Sequence, residues 1–208
     1  MRGRRPHPDP ERDQKARGEE AVTLTYSPLT AAGPLVELAD IKLYLRVDSD
    51  AEDTLIQSLI LSAGTEAEHI THRVLARRDY LVTCEGGITE PVTLPLVPCS
   101  SVSILTDAAG TSEVDASLYS IGHTSSRPAG DADIVTVVPG DGFPAGTIWI
   151  RAACGYTDVP EPVRQWVRVR VATLYEQREN FTIGSNFQEF SHNFSDSLLD
   201  DYVIHGGF

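Results

Sequence analysis

Leu38-Ala39-Asp40-Ile41-Lys42-Leu43-Tyr44-Leu45-Arg46-Val47-Asp48, then Ser49-Asp50-Ala51-Glu52-Asp53, then Leu55-Ile56-Gln57-Ser58-Leu59-Ile60, is the stretch that decides the architecture of this 208-residue chain. Leu38, Ile41 and Leu45 recur at spacings of three and four, which predicts a helix over about 37–46. Ser49 is placed to cap a second helix, and Glu52 follows three residues on, the arrangement of a capping box. Asp50, Glu52 and Asp53 put negative charge where the helix dipole favours it. Leu55, Leu59, Ala63, Ala67, Ile70 and Val74 continue as one stripe, thickened by Ile56 and Ile60, and predict a helix over about 50–74. At about 1.5 Å per residue it would reach about 37 Å.

Downstream the period changes from helical to alternating. Tyr80, Val82 and Cys84 alternate with Leu81 and Thr83, and Ile148, Ile150 and Ala152 with Trp149 and Arg151, so both segments read as half-buried strands. Further strands are expected at Val102–Thr106, Leu118–Ile121 and Asp133–Val138. Asp107-Ala108-Ala109-Gly110 has the Asp-first, Gly-fourth chemistry of a type I turn. Pro91, Pro95 and Pro98 mark their neighbourhood as sheet edge or loop. A third helix is predicted over about 161–180, entered through Pro160 and Pro162, with Val163, Trp166, Val167, Val171 and Leu174 inward. Arg164, Arg168 and Arg178 fall largely outside that stripe.

The expected fold is therefore α+β. It is a small bundle of three main helices with an antiparallel β subdomain inserted at about 79–154, between extended arms. Its core scaffold is Leu38, Ile41, Leu45, Leu55, Leu59, Ala63, Ile70, Val163, Trp166, Val167, Val171 and Leu174. Residues 1–20 are proline, arginine and glutamate with almost no apolar side chain, and are expected to form a mobile charged arm. Residues 21–36 read as an extended lead-in, and 37–180 as the folded domain. In 181–208, Phe181, Phe187, Phe190, Phe194 and Phe208 stand among Asn, Ser and Asp, and Leu198, Leu199, Tyr202 and Val203 resemble one helical turn. Such a tail suggests a segment that orders against a partner; the competing reading packs it back on its own sheet.

Composition narrows the function class. The chain has 17 basic and 30 acidic residues, of which six and five fall in 1–20, leaving 11 and 25 in residues 21–208, a net of −14 there. Nucleic-acid affinity comes mainly from Lys and Arg neutralising phosphates, so this body is poorly suited to gripping DNA. It suits a surface past which DNA slides. No apolar run nears the ~20 residues that span a bilayer, and no secretory signal or membrane partner is expected. Cys84, Cys99 and Cys154 form no CxxC pair and read as reduced, buried thiols.

His69 and His72 stand three apart near Glu66 and Glu68, whereas zinc proteases place His at i and i+4 around a catalytic Glu. A solvated helix face accounts for them. Pro139-Gly140-Asp141-Gly142-Phe143 lacks the lysine and following helix of a phosphate loop and reads as a turn. Asp131, Asp133 and Asp141 do not have EF-hand spacing. No serine lies in a GxSxG elbow, and Cys154 beside Gly155 reads as packing. No catalytic residue, cofactor or metal is assigned.

The short helix ending Tyr44-Leu45-Arg46-Val47-Asp48, the acidic start and Leu-Ile repeat of the second helix with Thr71-His72-Arg73 near its end, Gly155-Tyr156 before the prolines, and Leu174-Tyr175-Glu176-Gln177-Arg178-Glu179 together carry a family likeness. Over about residues 36–180 the chain resembles the gp6-like or gp8-like head-tail connector (adaptor) proteins of long-tailed bacteriophages and gene transfer particles. That resemblance implies a structural virion protein and not an enzyme. It implies a homo-oligomeric ring, usually of twelve, beneath the portal protein. The ring would extend the DNA channel, with DNA passing through the lumen without specific binding, and would offer a surface to a stopper, tail-terminator or other neck protein. It also implies residence in the virion neck, after assembly in the host cytoplasm. Portal binding is expected from Phe181, Phe187, Phe190, Phe194, Leu198, Leu199, Tyr202 and Phe208. The rivals are a tail-completion or stopper protein of the same neck, a DNA-binding regulator, and a hydrolase with an unrecognised site.

Overall fold

The quoted stretch folds as a helix pair in a computed structural model that describes residues 22–125, 133–177 and 197–204. Helix α1 spans Leu38–Leu45 and stops at Arg46, whose φ of 59° is left-handed. A tight turn over Asp50–Glu52 follows, with the Ser49 hydroxyl accepting from the Ala51 N–H at 3.2 Å. Helix α2 spans Asp53–Thr71 and ends on His72, again left-handed at φ 54°, with its N–H returned to the Glu68 carbonyl. Helix α3 spans Glu161–Glu176, with proline in its first turn. The three helices touch pairwise and bury Ile41, Ile56, Ile60, Ala63, Ala67, Val163, Trp166, Val167 and Val171 in one core.

The buried arc of α2 is rotated from the expected stripe. Ile56 and Ile60 sit at its centre, Leu59 and Ile70 are half-buried flanks, and Leu55 is 39% exposed. The cause is the segment before α1. Leu35 packs on buried Gly64, with its Cδ1 3.5 Å from where a Cβ would stand, and so covers one border of the helix. Of the expected scaffold, Leu38, Leu45 and Leu174 are half-buried.

Strands β1 (Thr23–Pro28), β2 (Arg78–Glu85), β7 (Ile148–Cys154) and β4 (Cys99–Leu105) form a four-stranded antiparallel sheet in the order β1-β2-β7-β4. Strands β3 (Val92–Leu94), β6 (Asp133–Pro139) and β5 (Tyr119–Ser125) form a second, in the order β3-β6-β5. The sheet is not wholly an insertion between helices. Part of the expected lead-in, Thr23–Pro28, is a strand whose Leu24 lies opposite Cys84 and Tyr26 opposite Val82. The prolines confine β3 to three residues at an edge. Both sheets share one apolar core, with Val82, Ile104, Ile148 and Ile150 from the first and Leu94, Val135 and Val137 from the second.

The two cores meet at Val74-Leu75-Ala76. Val74 belongs to the sheet core while Leu75 and Ala76 belong to the helical one. Gly155, at φ +94°, turns the end of β7 so that Tyr156 N–H reaches Leu75 O at 3.2 Å and Gly155 N–H reaches Pro98 O at 2.8 Å. Among the described residues no helix is long and apolar enough to cross a membrane.

Candidate interaction surfaces

The C-terminal segment is placed against the chain itself. Residues 197–200 form a helical turn, Leu199 is fully buried, and Leu198 and Tyr202 pack against the helical core. Buried Arg73 donates from Nε to Tyr202 O at 2.5 Å, and Ile204 N–H donates to Thr71 O at 3.1 Å. Leu199 is therefore an anchor within this chain, flanked by Leu198 and Tyr202. The reason is that Thr71, the last residue of α2, and Arg73, just past it, offer a carbonyl and a guanidinium that the returning backbone satisfies. Phe181, Phe187, Phe190, Phe194 and Phe208, and the charged arm 1–20, lie outside the described residues.

Ion pairs absorb most of the charge on the helices. Lys42 on α1 meets Asp50 at 2.5 Å and Asp53 at 2.8 Å. Arg170 on α3 meets Glu66 on α2 at 2.7 Å, and Arg168 meets Glu161 at 2.6 Å. Glu68 gathers the Leu75 N–H at 2.8 Å, the Ala76 N–H at 3.0 Å and the Arg78 guanidinium, so one carboxylate holds the crossover between the cores. The Tyr175 hydroxyl donates a hydrogen bond to the Glu52 carboxylate and ties the start of α2 to the end of α3. The side-chain bond to Lys42 holds the Asp50 carboxyl below the ordinary carboxylate range. Hydrogen bonds from Arg168 do the same for Glu161.

What remains outward on α2 is unusual in kind. Every exposed residue of the helix, from Thr54 and Leu55 through Thr65 to His69, lacks a formally charged side chain of the Asp, Glu, Lys or Arg type. Ser58, Ser62 and Thr65 turn their hydroxyls back onto the Leu55, Ser58 and Leu61 carbonyls at 2.7, 2.9 and 3.0 Å. Leu61 is 49% exposed beside them. On α1, Leu43 is 81% exposed and Tyr44 44%. Apolar spacing had put Leu55 in the core scaffold; the signal for a surface role was Ser58, Ser62 and Thr65, which recur at spacings of four and three along the exposed side.

The cysteines, the His69–His72 pair and the 139–143 turn take part in packing and turn formation. All three cysteines are buried as free thiols. Burial pushes Cys84 up to about 11, and a hydrogen bond to Cys99 followed by burial pushes Cys154 up. The His69 and His72 rings lie 6.2 Å apart edge to face, and the described residues hold no cluster of three or more His, Cys, Asp or Glu suited to a metal. In the 139–143 turn, Gly140 N–H donates to Leu118 O at 2.8 Å and Phe143 N–H to Gly140 O at 3.2 Å, and Phe143 packs edge-on to Tyr119.

Residues 36–112, from the entry to α1 through β4 and its following turn, match the family described as phage gp6-like head-tail connector protein. The chain resembles the gp6-like connectors. The fold agrees with a chain in the neck of an empty gene transfer agent (GTA) particle computed with C6 symmetry, at TM-score 0.63 and 20% identity. It agrees equally with a chain of the native GTA virion at TM-score 0.64 and 20% identity, and with one in the native GTA neck computed with C12 symmetry at 0.59 and 20%. Each alignment covers 88% of this chain and 97% of the other. No curated protein matches the chain. At this identity the likeness establishes the fold alone.

Proposed function

We propose that the chain is a structural neck protein of a tailed phage or gene transfer particle. In this reading it is a head-tail adaptor whose copies form a ring under the portal, extend the DNA channel and present an attachment surface to the next neck or tail protein. The observation that carries the reading is the agreement of fold along 88% of this chain with 97% of a GTA neck chain. The family match at 36–112 supports it from the sequence side. Those GTA necks were computed with C6 or C12 symmetry, which supports a ring of copies for this chain, here taken as twelve.

Charge supports the channel role. A lumen lined by a body of net −14 repels phosphates, which lowers friction for DNA in transit and makes specific binding to it unfavourable. The folded unit is residues 37–180 with the β1 strand, flanked by the arm at 1–20 and the phenylalanine-bearing stretch after α3. Phe181, Phe187, Phe190, Phe194 and Phe208 serve as portal anchors, aromatic side chains being the usual occupants of interface pockets. The ring would form in the host cytoplasm and remain in the virion neck.

The test is cosedimentation of the full chain with the portal protein encoded beside it, with electron microscopy of any complex. A ring seated on the portal is the expected result. Attachment to tail-tube components in place of the portal would move the chain to tail completion, and binding to neither would overturn the neck assignment.

A further inference from the structure

We propose that neighbouring subunits join through the outer face of α2 on one copy and the Leu43–Tyr44 corner of α1 on the next, an assignment that rests on the ring reading above. The first observation is where the charge of α2 goes. Its Asp53, Glu66 and Glu68 are consumed inside the chain by Lys42, Arg170 and Arg78. A helix on the surface of a free protein ordinarily turns charged residues to water; here the centre of the outward face holds none, and Glu66 at its border, with its side chain 37% exposed, is already paired with Arg170.

Hydrogen bonding makes the same face ready for burial. Covering a serine or threonine costs free energy when its donor is left unpaired. The hydroxyls of Ser58, Ser62 and Thr65 already donate to carbonyls of their own helix. A partner can lie on Leu55, Leu61 and the methylene surface between them without orphaning those donors.

Electrostatics select a second copy as that partner. Copies of a chain carrying net −13 repel wherever their acidic surfaces meet. The α2 face allows two of them to touch without opposed charge. The matching feature is Leu43, the most exposed large apolar side chain among the described residues, with Tyr44 next to it on α1. Face and corner are different patches of one subunit, so the contact is heterologous and repeats until the ring closes.

Mass photometry and negative-stain microscopy of the full chain, alone and with the portal protein, test this with two variants. Ser58→Glu/Ser62→Glu charges the face and Leu43→Glu charges the corner. Both sites are exposed, so each variant should melt like the unaltered chain, and Leu61→Arg replaces the first if it unfolds. The expected result is rings for the unaltered chain and monomers for either variant. A mixture of the two variants should give one-to-one pairs without rings, because one intact face and one intact corner remain. Rings from either variant, or a mixture that stays monomeric, would overturn this pairing while leaving the ring itself standing. An unaltered chain that forms no ring in either condition would overturn the ring reading and this assignment together.

Discussion

Arg73 Nε and the Tyr202 carbonyl oxygen lie 2.5 Å apart, joined across 129 residues of sequence. The bond is charge-assisted and largely withdrawn from water, so it fastens the end of the chain to the end of α2. Arg73→Leu should lower unfolding stability by about 1–3 kcal/mol, the range for losing a hydrogen bond to a charged group. It should also speed proteolysis near residues 197–204. A urea midpoint and cleavage rate equal to those of the unaltered chain would show that the clasp contributes nothing.

The rotated stripe of α2 gives a paired expectation. Ile60 is buried at its centre and Leu55 is 39% exposed. Ile60→Ala should cost about 2–5 kcal/mol, a large share of a typical ~5–15 kcal/mol. Leu55→Ala should stay within about 0.5 kcal/mol. Equal losses in thermal unfolding would contradict the observed face.

At Gly155 the backbone itself forbids a side chain. Its φ is +94°, and a Cβ there would stand 2.5 Å from the Ala76 carbonyl oxygen. Gly155→Ala should destabilise by at least about 1–3 kcal/mol from backbone strain alone, with the clash added. Gly33 has open space around the same position, and Gly33→Ala should be neutral or stabilising by up to about 1 kcal/mol. A tolerant Gly155→Ala, seen as an unchanged melting temperature, would mean the crossover between the cores is looser than described.

Asp107 sets an acid limit on the β4 hairpin. The Thr111 N–H at 3.1 Å, helped by the Thr111 hydroxyl and the Ser112 N–H at 2.6 Å, pulls its carboxyl from 3.8 down to about 2. Because the folded value lies below the unfolded one, the stabilisation is whole above about pH 4 and is lost as pH falls toward 2. An NMR titration of the Asp107 carboxyl should find its midpoint near 2. Asp107→Asn should speed amide exchange at Thr111 and Ser112. A midpoint near 3.8 would remove this anchor from the turn.

Local physics made much of this legible in advance. The helices at 38–45, 53–71 and 161–176 follow from apolar spacing and proline entry, which act within a few residues, whereas Ser49 caps the 50–52 turn ahead of the second helix and Glu52 turns to Tyr175. The Asp107–Gly110 turn was likewise written in its own chemistry, and the structure closes it with Gly110 N–H on Asp107 O at 3.3 Å. The likeness to connector proteins was readable from Thr71-His72-Arg73 and Gly155-Tyr156, and these residues prove to be a left-handed cap, a buried clasp and a glycine crossover.

Other features depended on partners distant in the chain. Leu55, Ile56, Leu59 and Ile60 offer a wide apolar arc, and only Leu35 against Gly64, with α3 on the neighbouring side, decided which part of it is buried. Strand β1 needed β2, some fifty residues on, to become a strand at all. Leu199, expected as a partner contact, is buried in the chain's own helical core because Arg73 and Thr71 draw the segment inward. The uncharged face of α2 exists only because Lys42, Arg78 and Arg170 reach its acidic residues from other elements. The sequence by itself determined the helices, the turns and the family likeness, because backbone propensity and short-range hydrogen bonds are local. Which faces are core and which remain open to another molecule was decided by the tertiary structure alone, because burial and ion pairing depend on what the rest of the chain places alongside.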